Sequence, residues 1–201
     1  MRARGTLAAA VALALLASRA QAKGAPRVVS TGAATGQALR IGGLVGFDFT
    51  EGETGLGLRV DGELPIQTIG PRVDLGVLAS LGYTRFANSV TGIYGRTSQS
   101  TNILKLVPAA RFTIPLAPKL GVYGDAGLGV YLARSSVETT SQFGRVDSTR
   151  TSTGVTMRLG AGGFYDVNER LRLGAELALN PYLGDYSDDT FSALASLMYR
   201  L

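Results

Sequence analysis

The side chains that most often perform chemistry in proteins are missing from this chain, which contains no cysteine and no histidine. Without cysteine there is no thiol nucleophile, no thiolate metal ligand and no disulfide framework. Without histidine, the usual general base and the commonest metal ligand are missing too. Serines such as Ser192 and Ser196 lack the histidine that normally activates a serine nucleophile. We therefore expect a protein that is not an enzyme and that holds no cofactor and no metal.

Charged side chains are the remaining candidates, and eight of them lie inside otherwise apolar segments: Arg59, Asp61, Glu63, Lys105, Arg111, Asp125, Arg158 and Glu176. Four are basic and four are acidic. Because a buried charge is strongly unfavourable unless it is paired, we expect these side chains to form a network of ion pairs inside the fold. A narrow or gated polar passage is the alternative, although no residue pattern marks a gate.

Segments of alternating apolar and polar residues position these charges. In the first, Leu39 to Thr50, the odd positions are apolar or glycine, whereas the even positions include Arg40 and Asp48. A period of two is typical of a strand with two different faces. The pattern recurs seven more times up to Leu201, and the apolar rows hold no charged residue. It predicts an all-β fold, an eight-stranded antiparallel up-and-down barrel.

The connections between these segments alternate in length. Residues 67–71, 117–119 and 168–170 form predicted tight turns, whereas 86–101, 135–153 and 181–190 are predicted long loops rich in Ser, Thr, Gly and Asp. Of the connections on the long-loop side, only 51–54 is short. Outer-membrane barrels place short turns in the periplasm and long loops outside the cell.

Alternation alone does not decide which face of the barrel is wet, so a soluble, lipocalin-like ligand-binding barrel is a second interpretation. Three observations favour lipid outside. The segments reach the roughly 9–11 residues that a tilted membrane strand needs. Glycines interleave with the charges, which suits a narrow lumen. Aromatic residues fall near segment ends, as in two interfacial girdles: Phe47, Phe49, Tyr83, Tyr182 and Phe191 on one side, and Phe112, Tyr165 and Tyr199 on the other.

The N-terminus has the composition of a targeting segment. Arg2 and Arg4 precede an apolar stretch from Leu7 to Ala17, and Ala20-Gln21-Ala22 is a small-x-small cleavage site. We predict a signal peptide over 1–22, cleaved after Ala22, a flexible lead-in over 23–38 and the barrel over 39–201. Cleavage would leave 17 basic and 15 acidic residues, so the net charge of +5 gives no reason to expect nucleic-acid binding.

These alternating segments, from about Leu39 to Leu201, resemble the small OmpA-like and OmpX-like outer-membrane β-barrel family. The resemblance implies a Gram-negative outer membrane, contact with its lipid and lipopolysaccharide, and insertion by the barrel-assembly machinery. That machinery usually reads a terminal aromatic residue, and here Leu201 is terminal while Tyr199 and Leu197 keep the alternation. The resemblance supports a structural or surface-interaction role.

The long loops carry residues suited to binding an extracellular partner, since Arg and Tyr are enriched at protein interfaces: Tyr94, Arg96, Arg134, Phe143, Arg145, Arg150 and Tyr186. We take Tyr94, Arg96, Arg145 and Tyr186 as the candidate interaction residues. A hydrophilic loop with no dedicated partner is the alternative. Asp185, Asp188 and Asp189 could hold a hard cation, but a solvated loop is the simpler interpretation.

Overall fold

The computed structural model describes residues 38–69, 73–93, 95–141, 144–186 and 188–201. The predicted signal peptide and nearly all of the lead-in lie outside them. No helix in the described part of the chain is long and apolar enough to cross a membrane. The strands are β1 (Arg40–Thr50), β2 (Glu53–Ile69), β3 (Val73–Gly92), β4 (Gly95–Ala117), β5 (Leu120–Ser141), β6 (Gly144–Asp166), β7 (Leu171–Asn180), β8 (Tyr182–Gly184) and β9 (Thr190–Arg200).

These nine strands make eight crossings of one closed antiparallel sheet. Each strand from β1 to β6 pairs with the next, β6 pairs with β7, and β9 pairs with both β7 and β1. The short β8 also pairs with β6 and continues the crossing begun by β7. Pro181 separates the two because proline has no N–H to donate to the ladder, and its carbonyl instead accepts from the Met157 N–H at 3.0 Å. The predicted eight-stranded barrel is confirmed.

The register around the barrel fixes its tilt. Followed from Arg59 through β1 and β9, the row of paired residues reaches Gly174. Followed the other way through β3, β4, β5 and β6, it reaches Gly184, ten residues further along the same crossing. At ~3.3 Å per residue and ~4.8 Å between strands, this stagger gives a strand tilt of about 40°. A barrel of this size has an interior that side chains can fill.

The faces of the sheet are inverted relative to a soluble barrel. Outward-facing Phe47, Leu81 and Leu106 are 56%, 50% and 51% exposed, whereas all eight charges of the predicted network are buried. The pattern fits a wall surrounded by hydrocarbon, because a charge on the lipid face at mid-bilayer costs roughly 2–4 kcal/mol. The soluble, lipocalin-like interpretation is therefore wrong, and the chain is a transmembrane barrel.

Two of the predicted long loops are strands instead. The segment 86–101 continues β3 to Gly92 and begins β4 at Gly95, and most of 135–153 belongs to β5 and β6. These extensions form a four-stranded sheet, the protruding sheet, beyond the barrel rim. The alternation that marks a strand depends on lipid on one face. Above the membrane both faces are wet, so the alternation ends, while the strands continue and include the β-favouring residues Thr and Val.

Tyr182 does not join an outer aromatic girdle, contrary to the sequence-based assignment. It is 2% exposed and points into the lumen. The cause is parity, because Tyr182 is an even number of residues from inward-facing Glu176 and Asn180, and side chains alternate along a strand. Its position at the end of a segment was a weaker indicator than the alternation.

Candidate functional site

Charged side chains at inward positions fill the middle of the lumen. Nine of them are buried, four cations and five anions. The half-buried Arg40, whose Nη1 lies 3.1 Å from Glu63 Oε1, brings a fifth cation. These charges form the candidate site, because buried charges are tolerated only with partners of opposite sign.

Arg59 ties two non-adjacent walls of the barrel together. It forms a two-point contact with Asp61 on its own strand, at 2.8 Å from Nε and 2.9 Å from Nη2. Its Nη1 and Nη2 also donate to the two carboxylate oxygens of Glu176 on β7, each at 2.7 Å. Such forked contacts are among the strongest hydrogen bonds that arginine makes. The Arg59 side chain therefore lies across the lumen.

Arg111 and Arg158 complete a layer of ion pairs across the lumen. This ionic layer consists of Arg59, Asp61, Glu63, Arg111, Asp125, Arg158 and Glu176. Arg111 donates to Asp125 at 2.8 Å and to Glu63 at 3.1 Å, and its guanidinium carbon lies 4.1 Å from the centre of the Tyr123 ring. Arg158 donates to Glu176 at 2.7 Å and to Asp125 at 3.2 Å.

Two neutral residues that sequence reasoning did not assign join the layer. The Ser80 hydroxyl donates to Asp61 and accepts from Arg158, both at 2.7 Å, and the Tyr123 hydroxyl donates to Glu176 at 3.1 Å. Both residues lie at the alternate positions of their strands that face the lumen, and this alternation is the feature of the sequence that could have identified them.

Lys105 is separate from this ionic layer, although the sequence grouped it with the other seven charges. It has no carboxylate oxygen within 4.0 Å among the described residues. Its Nζ lies 3.5 Å from the Tyr182 hydroxyl and 6.0 Å from the ring centre. The nearby Asp48 accepts a short hydrogen bond from Thr84. The structure thus brings together seven of the eight predicted residues.

An aromatic cluster closes the lumen on the side of the protruding sheet. Tyr131 and Tyr182 meet edge to face at 5.0 Å between ring centres, and Tyr186 contacts Tyr182 at 5.4 Å. The Tyr131 hydroxyl donates to the Tyr186 carbonyl at 3.0 Å. Partial burial raises the pKa of the Tyr186 hydroxyl to about 12, with a smaller contribution from Asp188. Buried Phe86 and Ile103 pack beneath this cluster.

The predicted interaction residues lie in two places. Arg96 and Arg145 both pair with Thr140, from opposite sides of β5, and line a cleft of about 570 Å³ on the outer face of the protruding sheet. Arg145 is bound by Glu138 and Asp147, each at 3.1 Å. Tyr186 belongs instead to the aromatic cluster, and Tyr94 lies outside the described residues.

Several known outer-membrane proteins resemble this chain. A family model described as the outer membrane protein beta-barrel domain matches residues 7–200. The chain resembles Ail of Yersinia pestis, solved in complex with the heparin analogue sucrose octasulfate, with a TM-score of 0.50 and 14% identity over 82% of this chain and 97% of Ail. It also resembles a major outer membrane protein of Thermus thermophilus, with a TM-score of 0.52 and 16% identity over 82% of this chain and all of the other.

An enzyme shares the architecture as well. The outer membrane protease OmpT of Escherichia coli matches with a TM-score of 0.52 and 12% identity, over 74% of this chain and 64% of OmpT. At these identities the matches establish the fold alone. No curated protein matches the chain.

Proposed function

The chain belongs to the outer membrane protein beta-barrel family, and from that membership we propose that it is a non-catalytic membrane anchor for a surface-binding sheet. The barrel holds the chain in the outer membrane, its lumen is plugged, and the protruding sheet contacts partners outside the cell. The signal peptide directs export and is then removed after Ala22. The observation that carries the proposal is the contrast between a filled lumen and strands that run far beyond the membrane.

The lumen supports the anchoring role rather than transport. Arg59 joins β2 to Glu176 on β7, and Arg158 on β6 reaches Ser80 on β3, so the ionic layer crosses the lumen in two directions. The aromatic cluster of Tyr131, Tyr182 and Tyr186 adds a second obstruction. All four carboxylates of the ionic layer are engaged by arginines, which favours a structural over a catalytic role.

The protruding sheet supports the binding role. Leu104 is the outward-facing apolar residue of β4 that lies nearest the protruding end. The strand extends nine residues beyond it, to Gly95, which is about 30 Å at ~3.3 Å per residue. On β6, residues 144–153 pair only with β5, because pairing with β8 begins at Gly154. An unpaired edge offers backbone N–H and C=O groups to a strand of a partner. Over residues 85–152, the parts beyond the hydrocarbon layer carry five arginines and two acidic residues.

A shortened sheet tests this proposal. Removing 88–99 and 137–148, with an Asn-Gly turn in place of each, keeps the pairs Ala87–Ser100 and Ser136–Thr149. Bacteria producing either form would be compared for attachment to cultured epithelial cells and to immobilised heparin, which is a sulfated polyanion. Equal amounts of heat-modifiable barrel in the outer membrane serve as the control for folding.

We expect the full-length protein to raise attachment several-fold over cells without it, and the shortened form to give no increase. Equal attachment by both forms would refute the binding role. Steady conductance by the full-length protein in planar bilayers would instead support a narrow transport channel.

A further inference from the structure

The outer face of the protruding sheet meets the membrane at a row of polar residues. Arg85 on β3 pairs with Asn102 on β4, Asn102 pairs with Arg134 on β5, and Arg134 pairs with Thr151 on β6. Directly paired residues in an antiparallel sheet point to the same face. Arg85 and Arg134 are therefore on one side of the sheet, two strand spacings or about 10 Å apart, and both are exposed.

The position of this row relative to the membrane follows from the strands themselves. Two residues nearer the barrel on the same face are Tyr83, Leu104 and Leu132, which are 38%, 45% and 45% exposed. Two residues span about 7 Å of strand. The Tyr83 hydroxyl donates to Asn102 at 2.7 Å, and tyrosines are enriched at the level of the lipid headgroups. The arginine row therefore lies at the depth of the headgroups.

Both arginines are available to a ligand. Neither makes a hydrogen bond or ion pair with another described residue. The next row outward, Ala87, Ser100, Ser136 and Thr149, contains no acidic side chain. The acidic residues one row further out, Glu138 and Asp147, already bind Arg145.

We propose that Arg85 and Arg134 bind phosphate groups of lipopolysaccharide in the outer leaflet. A guanidinium presents a planar fork that matches phosphate, and its flexible stem lies along the apolar wall while the charge reaches the headgroups. The inference rests on the proposed function in one respect, that the protruding sheet faces the cell exterior. It assigns a lipid partner to the base of the sheet, below the part that contacts extracellular partners.

Binding of dye-labelled, phosphorylated lipopolysaccharide to the refolded protein, followed by fluorescence anisotropy, tests the assignment. The test variant is Arg85→Gln/Arg134→Gln, which keeps side-chain length and hydrogen bonding but removes two charges. The matched control is Lys119→Gln/Arg150→Gln, which removes two exposed charges outside the row. Dephosphorylated lipopolysaccharide and phosphatidylglycerol are the competitors.

We expect the test variant to bind about 30-fold more weakly, from roughly a fivefold loss per arginine near an anionic surface, and the control to stay within twofold of wild type. Dephosphorylated lipopolysaccharide should compete poorly. Equal binding by all three proteins would overturn the assignment. Equal competition by phosphatidylglycerol would also overturn it, since any anionic lipid would then suffice.

The attachment experiment and the lipopolysaccharide-binding experiment test the two proposals independently, so that one proposal can be refuted without the other. The shortened sheet keeps Arg85 and Arg134, so it should bind lipopolysaccharide while losing attachment. The Arg85→Gln/Arg134→Gln variant should show the opposite pattern. Labelling of a Ser98→Cys variant by a membrane-impermeant reagent on intact cells checks the shared premise that the sheet is outside.

Discussion

Replacing Arg158 by methionine should destabilise the barrel strongly. Arg158 is 1% exposed and donates to Ser80 and Glu176 at 2.7 Å and to Asp125 at 3.2 Å. Methionine keeps an apolar stem of similar length but supplies no donors. Removing one partner of a buried charge pair typically costs about 3–5 kcal/mol, because the other charge stays buried without it.

The remaining contacts place the expected loss at the lower end of that range. Glu176 keeps its two-point contact with Arg59 and the Tyr123 hydroxyl, and Asp125 keeps Arg111. Both carboxylates would nevertheless lose one positive partner while staying buried. We therefore expect the free energy of unfolding to fall by about 3 kcal/mol.

Urea unfolding in lipid vesicles measures this loss, with the folded fraction read from the heat-modifiable gel band or tyrosine fluorescence, since the chain has no tryptophan. Arg145→Met is the matched control. Arg145 also forms ion pairs, but its side chain is 60% exposed, and pairs of that kind contribute about 0–1 kcal/mol. If Arg158→Met were no more destabilising than Arg145→Met, the ionic layer would not be holding the walls together.

Three further changes should follow from the same structure. Lys105→Met should leave the free energy of unfolding unchanged or raise it in the same urea assay, because no described carboxylate loses an ion pair; a loss above about 2 kcal/mol would contradict this. Gly129→Ala should lower the free energy of unfolding by about 1–3 kcal/mol, because an added Cβ would lie 2.1 Å from the Leu106 carbonyl oxygen. Gly43→Ala is the control and should leave the free energy of unfolding unchanged, because an added Cβ there meets nothing within 4 Å. Val45→Arg, on the lipid face, should reduce the yield of folded barrel in vesicles and cost about 2–4 kcal/mol, while Val45→Leu should fold normally.

The membrane-embedded part of the fold could be predicted because lipid imposes a chemical rule on every second residue. Leu56, Leu58 and Val60 alternate with Arg59 and Asp61, and the structure exposes the first set and buries the second. Outside the membrane no such rule acts, so the extended parts of β4 and β6 look like loops in the sequence. Their strand character comes from pairing with β5, which local composition does not reveal.

The charged members of the ionic layer could be identified from the sequence, but the partner of each one could not. Alternation shows that Arg59, Lys105 and Glu176 point inward, yet it says nothing about which inward residues share a level. That depends on the ten-residue stagger between Gly174 and Gly184, which accumulates over eight pairings. The tilt puts Lys105 in the same row as Arg59 and Tyr131, among residues that supply no carboxylate, while Glu176 lies two residues from the Gly174 end of that row and meets Arg59 across the lumen. Because closure and tilt decide these contacts, a change in strand register should disrupt the ionic layer even if every charged residue were kept.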